Sequence, residues 1–281
     1  MTYNEMWRQL AQVYGDGEAK AIARMVYEIR YGLSLSDILL GKDTQLTADH
    51  QAELKEITER LLQQEPVQYI LGQTDFCGQA FLVNHHVLIP RPETAELCQW
   101  IIDDSTGGQS PCVLDIGTGS GCIAITLAAA LPDAQVTAWD ISDEALRVAA
   151  ENAKRTDVNV SFKQVDVLNI PHSSFLTPHF SLIVSNPPYI CNKERAYMES
   201  NVLEYEPHTA LFVPDNDPLL FYRSIARYAL TALKPGGWLY FEINPLYADS
   251  LREMLSVMSY SDIETKEDQF GKRRMMRAHK R

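Results

Sequence analysis

Residues 113–121 read Val-Leu-Asp-Ile-Gly-Thr-Gly-Ser-Gly, and residues 122–128 continue as Cys-Ile-Ala-Ile-Thr-Leu-Ala. The first stretch begins as a short apolar strand, and the second places apolar residues at helical spacing among small, helix-tolerant ones. Glycines between a strand and a helix allow a tight turn and let the backbone approach a ligand closely. We therefore predict a strand, a ligand-binding glycine turn and a helix.

The spacing of these glycines indicates which ligand the turn suits. They follow the order Gly-x-Gly-x-Gly, whereas the turn of a dinucleotide-binding fold is Gly-x-Gly-x-x-Gly. Asp115 lies two positions before the first glycine. A carboxylate there would repel a pyrophosphate but could attract an ammonium group, which favours S-adenosylmethionine over a dinucleotide. The turn residues predicted to bind this cofactor are Gly117, Thr118, Gly119, Ser120 and Gly121.

Two further acidic residues stand where the following strands are predicted to end. Residues 135–140 end in Asp140, and residues 160–166 end in Asp166. An acid at the end of the second strand can accept hydrogen bonds from ribose hydroxyls, and the next acid could meet the adenine amino group. Each acid alone would serve equally well as a solvated strand end or a helix cap. In register with a glycine turn, both are predicted to bind the cofactor.

Asn186, Pro187, Pro188 and Tyr189 directly follow the apolar run of residues 180–185. The run predicts a buried strand. The prolines donate no backbone hydrogen bond and fix their own φ, and each keeps the preceding residue out of the helical region. The resulting stiff loop presents an amide, two carbonyls and an aromatic ring. It suits a planar amide or nucleobase amino group, and the alternative is a plain strand-ending turn with Tyr189 on the surface.

The chain is predicted to divide into three parts. Residues 1–73 carry apolar residues at helical spacing and predict a small helical bundle. In residues 74–90 the apolar runs shorten to residues 81–83 and 87–89, which we interpret as a β-hairpin linking the domains. In residues 91–281 strands alternate with helices, which predicts an α/β domain with a mostly parallel, Rossmann-like sheet.

The composition favours a cytoplasmic enzyme without metal. The five cysteines include no Cys-x-x-Cys pair, which indicates reduced thiols. No apolar stretch is long enough to cross a bilayer, and the N-terminus lacks the pattern of a signal peptide. His85 and His86 have no nearby third ligand in the sequence, so we interpret them as turn residues and expect no metal site.

The charge distribution bears on the partner. The net charge is −12, with 7 basic and 11 acidic side chains in residues 1–73 and six basic but no acidic ones in residues 272–281. Proteins that bind duplex DNA usually offer a basic face to the phosphates, so the charge favours a protein partner. We expect the basic end to form a last strand through Met275 and Met276 and then a solvated tail. A contact of that tail with ribosomal RNA is the alternative.

These motifs together resemble the PrmC/HemK family, bacterial enzymes that methylate the N5 amide nitrogen of a glutamine in peptide release factors. The resemblance covers nearly the whole chain and is specific from about Glu65 onward. One departure is Asn244, which stands where relatives usually carry glycine after Glu-Ile. Val167 stands where some relatives have an aromatic residue. Besides the motifs above, the matching blocks are residues 65–72, 87–94, 205–207 and 268–274.

The resemblance implies roles for the site residues. S-adenosylmethionine would be the methyl donor, giving S-adenosyl-L-homocysteine, and Val167 and Asn186 would join its binding residues. The catalytic residues would be Asn186, Pro187 and Tyr189. The substrate-binding residues would be Asn186, Pro187, Pro188 and Tyr189. The Asn186 side-chain oxygen and the Pro187 carbonyl would each accept one N–H of the substrate amide, and Tyr189 would pack against the amide plane.

The resemblance also implies the partner. Class I peptide chain release factors would present the glutamine of their Gly-Gly-Gln motif, and the helical domain would hold the release factor. We expect a monomer with no membrane contact and no direct nucleic-acid substrate. Three alternatives stay open: glutamine methylation of a large-subunit ribosomal protein, methylation of a nucleobase amino group, and an inert binding module on the same scaffold.

Overall fold

A computed structural model describes residues 1–105, 110–170 and 179–281 of the chain. No helix in this described part is long and apolar enough to cross a membrane. The α-helices found there are α1 (Tyr3–Tyr14), α2 (Asp16–Tyr31), α3 (Leu35–Leu39), α4 (Ala48–Leu62), α5 (Val67–Leu71), α6 (Pro92–Ser105), α7 (Cys122–Ala130), α8 (Asp143–Arg155), α9 (Ser200–Tyr205), α10 (Leu220–Ala232) and α11 (Ala248–Val257). The strands found there are β1 (Gln73–Phe76), β2 (Gln79–Leu82), β3 (Cys112–Ile116), β4 (Gln135–Asp140), β5 (Val160–Gln164), β6 (Phe180–Ser185), β7 (Ile190–Cys191), β8 (Phe212–Val213), β9 (Leu233–Glu242), β10 (Tyr260–Glu267) and β11 (Arg273–Lys280).

The first of two compact units contains residues 1–73 and 199–205. Apolar side chains that recur every three or four residues along its helices meet in one core. Thr47 begins α4 by accepting a hydrogen bond from the His50 N–H at 3.2 Å. The predicted helical bundle is therefore confirmed. Its fully buried side chains include Met6, Leu10, Val26, Tyr27, Leu54 and Leu61.

Helix α9 is distant from this bundle in sequence but clusters with it. The Ser200 hydroxyl donates to the side chain of Gln64, and the Tyr205 hydroxyl donates to the Gln63 carbonyl at 3.1 Å. Residues 199–205 fall inside the predicted catalytic domain, yet they belong to the helical unit.

The second compact unit contains residues 74–198 and 206–281. Its main sheet has seven strands among the described residues, in the order β10-β11-β9-β6-β3-β4-β5. Strands β9, β6, β3, β4 and β5 run parallel, whereas β11 and β10 are antiparallel to their neighbours. The central strands are almost continuously apolar because helices cover both faces. The predicted mostly parallel, Rossmann-like sheet is confirmed.

A hairpin follows the bundle, but its strands are not those predicted. Strands β1 and β2 pair around Cys77 and Gly78, whose φ angles are 52° and 75°. Positive φ at both turn residues is the geometry of a two-residue hairpin loop. The predicted strand at residues 87–89 is wrong, because the Val87 N–H bonds to the Asn84 carbonyl at 3.1 Å and closes a local turn.

The basic C-terminal residues belong to the sheet. Strand β11 pairs with both β9 and β10. The Lys280 ammonium donates to the Leu233 carbonyl at 2.5 Å, and Arg277 forms ion pairs with Asp104 and Glu264. The expectation of a solvated tail after Met276 is therefore wrong, because the strand continues and acidic neighbours pair with its charges.

The side chain of Asn152 in α8 joins two segments that are distant in sequence. It is fully buried. Its Oδ1 accepts the Leu82 N–H at 2.6 Å, and its Nδ2 donates to the carbonyls of Leu82 at 3.0 Å and Ser120 at 2.9 Å. One amide therefore satisfies backbone groups of both the hairpin and the glycine turn.

Asp115 in β3 is also fully buried. The Thr118 hydroxyl donates to its Oδ2 at 2.6 Å. Burial raises the pKa of Asp115 to about 7, although the Thr118 hydrogen bond opposes the rise. The fold therefore disfavours the charged form of this carboxyl.

We expect Asn152→Ala to lower the free energy of unfolding by about 2–4 kcal/mol, because buried backbone groups lose their partner. Urea denaturation measures this change. Asn159→Ala is the matched control, since Asn159 is exposed, and it should change stability by less than about 0.5 kcal/mol. Equal effects of the two substitutions would contradict the role given to Asn152.

Asp115→Asn should change the pH dependence of stability. An unfolded Asp has a pKa of about 3.9, so between about pH 4 and pH 7 the folded protein keeps a proton that the unfolded chain has released. The contribution of Asp115 to stability must then fall with rising pH in this window, by at most about 1.4 kcal/mol per pH unit. Urea unfolding at several pH values should show that the free energy of unfolding of the variant increases relative to that of the wild type as pH rises. A constant difference would show that Asp115 does not titrate there.

Candidate active site

A cavity of about 390 Å³ lies in the second unit. It lies where β3, β4 and β6 end, which is where open α/β sheets bind their ligands. The cavity brings together most of the residues predicted from the sequence. The predicted residues that line it are Gly117, Thr118, Gly119, Ser120, Asp140, Asp166, Val167, Asn186, Pro187 and Pro188. Gly121 and Tyr189 are not among the lining residues.

The glycine turn bends over the end of β4. The backbone N–H groups of Gly117 and Thr118 both donate to the Trp139 carbonyl, at 2.8 and 3.0 Å. Gly117 has a φ of 75°, and a Cβ built on it would lie 4.0 Å from the backbone oxygen of Asn186. The turn and the Asn-Pro-Pro loop are therefore in contact distance of each other.

Gly121 has a packing role. Its φ is 83°, and a Cβ there would lie 2.8 Å from Ile125 Cδ1 and 3.1 Å from Ala149 Cβ. Any larger residue would push α7 away from α8. The sequence pattern counted Gly121 among the ligand-binding residues, whereas the structure places it where two helices approach.

The two strand-end acids face the cavity differently. Asp140 accepts hydrogen bonds from the N–H groups of Gly119 at 2.8 Å and Ser142 at 2.9 Å. Burial raises its pKa, and these two hydrogen bonds oppose the rise. Asp166 accepts from the Leu168 N–H at 2.9 Å and from the Asn169 side chain at 2.6 Å. Both carboxylates keep free lone pairs for a ligand.

Asp115 does not reach the cavity. Its carboxyl is held beneath the turn by Thr118, and it is not a lining residue. The expectation that it attracts an ammonium group is therefore not supported. Its hydrogen bond shapes the turn from below.

The residues of the cavity fit S-adenosylmethionine. Ser120 Oγ is buried and has no hydrogen-bond partner in the part of the chain that the structure describes, so a polar ligand group would satisfy it. Asp140 offers acceptors for hydroxyl groups. The apolar side chains of Ile141, Val165 and Val167 line the same cavity and suit a purine ring.

The Asn-Pro-Pro-Tyr loop is anchored to a buried carboxylate, Glu242. Asn186 Nδ2 lies 3.3 Å from the Thr94 hydroxyl, which donates to Glu242 Oε2 at 2.6 Å. The Tyr189 hydroxyl donates to Glu242 Oε1 at 3.0 Å. Glu242, at the end of β9, and Thr94, in the first turn of α6, are each 2% exposed. Both ends of the loop therefore reach one carboxyl group.

Tyr189 faces the protein interior. Its ring packs against the core formed by β6, β9 and α10, and its pKa is raised well above the usual range because it is buried. Its carbonyl accepts a hydrogen bond from Asn244 Nδ2 at 3.1 Å. The predicted packing of Tyr189 against a substrate amide finds no support in this geometry, which makes Tyr189 an anchor of the loop.

Sequence reasoning gave no role to three residues of this site. Thr94 lies in the matching block of residues 87–94 and Glu242 lies two positions before Asn244, but neither carries a motif of its own. Asn244 also donates to the Glu194 carboxylate at 3.1 and 3.2 Å. The sequence does contain one signal for Glu242, since it is an isolated acidic residue at the end of the apolar strand β9.

A second buried carboxylate lies at the cavity rim. Glu206 is 4% exposed and forms an ion pair with Arg91, which lines the cavity. It also accepts the Ile89 N–H at 3.3 Å. Ile89 and Arg91 therefore meet Glu206, which is more than one hundred residues away in the sequence.

The fold is shared with solved methyltransferases. The crystal structure of a methyltransferase from Pyrococcus furiosus matches with a TM-score of 0.53 at 17% identity, over 83% of this chain and 99% of that one. A 16S rRNA methyltransferase from T. thermophilus, solved with AdoMet and guanosine, matches with a TM-score of 0.52 at 17% identity, over 74% of this chain and 50% of that one. At these identities the likeness concerns the fold alone.

Sequence comparison is more specific. Residues 4–72 match the PrmC N-terminal domain, and residues 110–260 match a methyltransferase domain. The release factor glutamine methyltransferase of Bacteroides thetaiotaomicron is 45% identical over 97% of both chains. That of Flavobacterium psychrophilum is 42% identical over 96% of this chain and 95% of its own. That of Streptococcus pneumoniae is 37% identical over 95% of this chain and 97% of its own. The chain therefore belongs to the release factor glutamine methyltransferase family.

Proposed function

We propose that this protein transfers a methyl group from S-adenosylmethionine to the side-chain amide nitrogen of the glutamine in the Gly-Gly-Gln motif of class I release factors. S-adenosylmethionine is the cofactor of its family. The observation that carries the proposal is that the glycine turn and the Asn-Pro-Pro loop follow paired strands and line the same cavity. A cofactor on Gly117 and a substrate amide on Asn186 would be neighbours in one cavity.

The residues of the cavity perform the reaction mainly by positioning. S-adenosylmethionine, when bound, supplies an electrophilic methyl group. A glutamine amide nitrogen is a poor nucleophile because its lone pair is delocalised into the carbonyl. Asn186 Oδ1 and the Pro187 carbonyl each accept one N–H of the substrate amide, which fixes the nitrogen and favours loss of its planarity.

The proton leaves after the methyl group has been transferred. Asn186 and Pro187 present acceptors that are not bases, and Glu242 is occupied by two hydroxyl donors. The proton therefore passes to water.

Each part of the chain has a separate role in this reaction. Residues 1–73 recognise the release factor, residues 74–90 link the domains, and residues 91–281 bind the cofactor and carry the reaction. The protein acts as a cytoplasmic monomer and contacts neither membrane nor a nucleic-acid substrate.

Mass spectrometry of the methylated product tests the function. Purified protein and S-adenosylmethionine should add one methyl group to the glutamine of the Gly-Gly-Gln loop in a release factor. Radiolabelled transfer to a large-subunit ribosomal protein or to DNA, with none to the release factor, would replace the proposal by one of those substrates. Failure to bind S-adenosylmethionine in calorimetry would indicate an inert scaffold.

Asn186→Ala should lower kcat by about a hundredfold or more, because the substrate amide loses a positioned hydrogen-bond partner. The Kd for S-adenosylmethionine should change by less than about threefold, since the glycine turn and Asp140 are untouched. Steady-state methylation and calorimetry measure the two quantities. The exposed-site variant Asn159→Ala is the control, and near-wild-type turnover of Asn186→Ala would refute the role of Asn186.

A further inference from the structure

The hydrogen bonds behind the Asn-Pro-Pro loop have a defined direction. The Thr94 hydroxyl donates to Glu242 Oε2 at 2.6 Å, and the Tyr189 hydroxyl donates to Oε1 of the same carboxyl group at 3.0 Å. The Thr94 hydroxyl therefore directs its hydrogen to Glu242, and its oxygen is left as an acceptor. Asn186 must then turn its NH2 group toward Thr94. Oδ1 is then the end of the amide that points away from Thr94, and it is the acceptor that the proposed reaction requires.

Without the hydrogen bonds from Asn186 to Thr94 and from Thr94 to Glu242, the orientation of the Asn186 amide would be undetermined. The two ends of an asparagine amide have nearly the same shape, and rotation about χ2 exchanges them. The adjacent prolines fix the backbone but not this rotation. With the amide reversed, the NH2 group would face the N–H groups of the substrate and repel them.

Two further hydrogen bonds hold the other end of the loop, at Tyr189. The Tyr189 hydroxyl donates to Oε1 of the same carboxylate, and Asn244 Nδ2 donates to the Tyr189 carbonyl. Glu242 thus accepts one hydrogen bond on each oxygen from two hydroxyl groups. A glutamine at this position would have one acceptor oxygen and one NH2 group, so it could not accept both.

Glu242 is a buried carboxyl group. Burial raises its pKa, and the hydroxyl donors and the positive charge of Arg274 oppose the rise. Each of its two oxygens accepts a hydrogen bond from a hydroxyl group, so removing one acceptor would leave a buried hydroxyl unsatisfied.

We infer that Glu242 and Thr94 are positioning residues that set the orientation of the Asn186 amide and so prepare its oxygen for the substrate. The inference rests on the proposed function and adds residues to the same site. Neither side chain needs to touch the substrate amide. Glu242 acts through Thr94 on Asn186, and through Tyr189 on the far end of the loop.

Substitutions at Thr94 test whether its hydroxyl group orients the Asn186 amide. Thr94→Val removes the hydroxyl at nearly constant shape, and we expect kcat to fall by about tenfold or more, with a Kd for S-adenosylmethionine within about twofold of wild type. Thr94→Ser restores the hydroxyl and should recover kcat to within about threefold. Thr126→Val is the matched control, because Thr126 is a buried threonine that is not among the residues lining the cavity. It should keep wild-type kcat.

Glu242→Gln separates positioning from stability. Replacing the buried carboxyl by its amide isostere should lower the thermal midpoint only modestly, because one of the two hydroxyl groups keeps an acceptor, whereas kcat measured well below that midpoint should fall by about tenfold or more. A role in folding alone would make kcat follow the midpoint. Thermal unfolding and steady-state methylation of the release factor are measured on the same preparations.

The outcomes distinguish this inference from the proposed function. If wild-type protein does not methylate the release factor, the proposed function fails. If it does and Thr94→Val and Glu242→Gln keep wild-type kcat, the inference fails alone. Equal losses in Thr94→Val and Thr94→Ser would also overturn it, because the hydroxyl would then not be the group that matters.

Discussion

The pairing of β3 with β6 is the constraint on which the site depends. In this parallel pair Ile116 lies opposite Ser185, and the Ser185 hydroxyl donates to the Ile116 carbonyl at 2.6 Å. The next residues on the two strands are Gly117 and Asn186. Because parallel strands end at the same edge of a sheet, this register places the glycine turn and the Asn-Pro-Pro loop side by side. A shift by one residue would reverse the face of every side chain along the pair.

Much of this arrangement follows from local sequence. The apolar run before Gly117 and the one before Asn186 predict buried strands, and the alternation of strands with helices predicts the parallel sheet. The positions of Asp140 and Asp166 can likewise be predicted, because each acid lies at or just beyond the end of a predicted strand, in register with the glycine turn. These features depend on contacts close in sequence or on one repeated pattern.

The features of the fold and the site that could not be predicted from local sequence depend on contacts between distant segments. Helix α9 joins the helical unit through Gln63 and Gln64, and no periodicity in its own sequence indicates this. The hairpin turn uses Cys77 and Gly78, where Asn-Gly would have been the recognisable signal. The inward placement of Tyr189 likewise follows from Glu242, an acceptor more than fifty residues away in sequence. Side-chain direction after a proline pair is decided by such a partner.

Buried polar groups account for both the shape and the chemistry of this edge of the sheet. Asp115 and Asn152 hold the glycine turn from beneath, through Thr118 and the Ser120 carbonyl. Glu242 holds the substrate loop in the same way, from the end of β9. Each of these groups costs desolvation free energy, which is offset only when hydrogen bonds are nearly complete. A cavity wall built on such groups is rigid, since any movement breaks a bond that water cannot replace. For a reaction that depends on holding a weak nucleophile in one orientation, this rigidity is itself part of the mechanism.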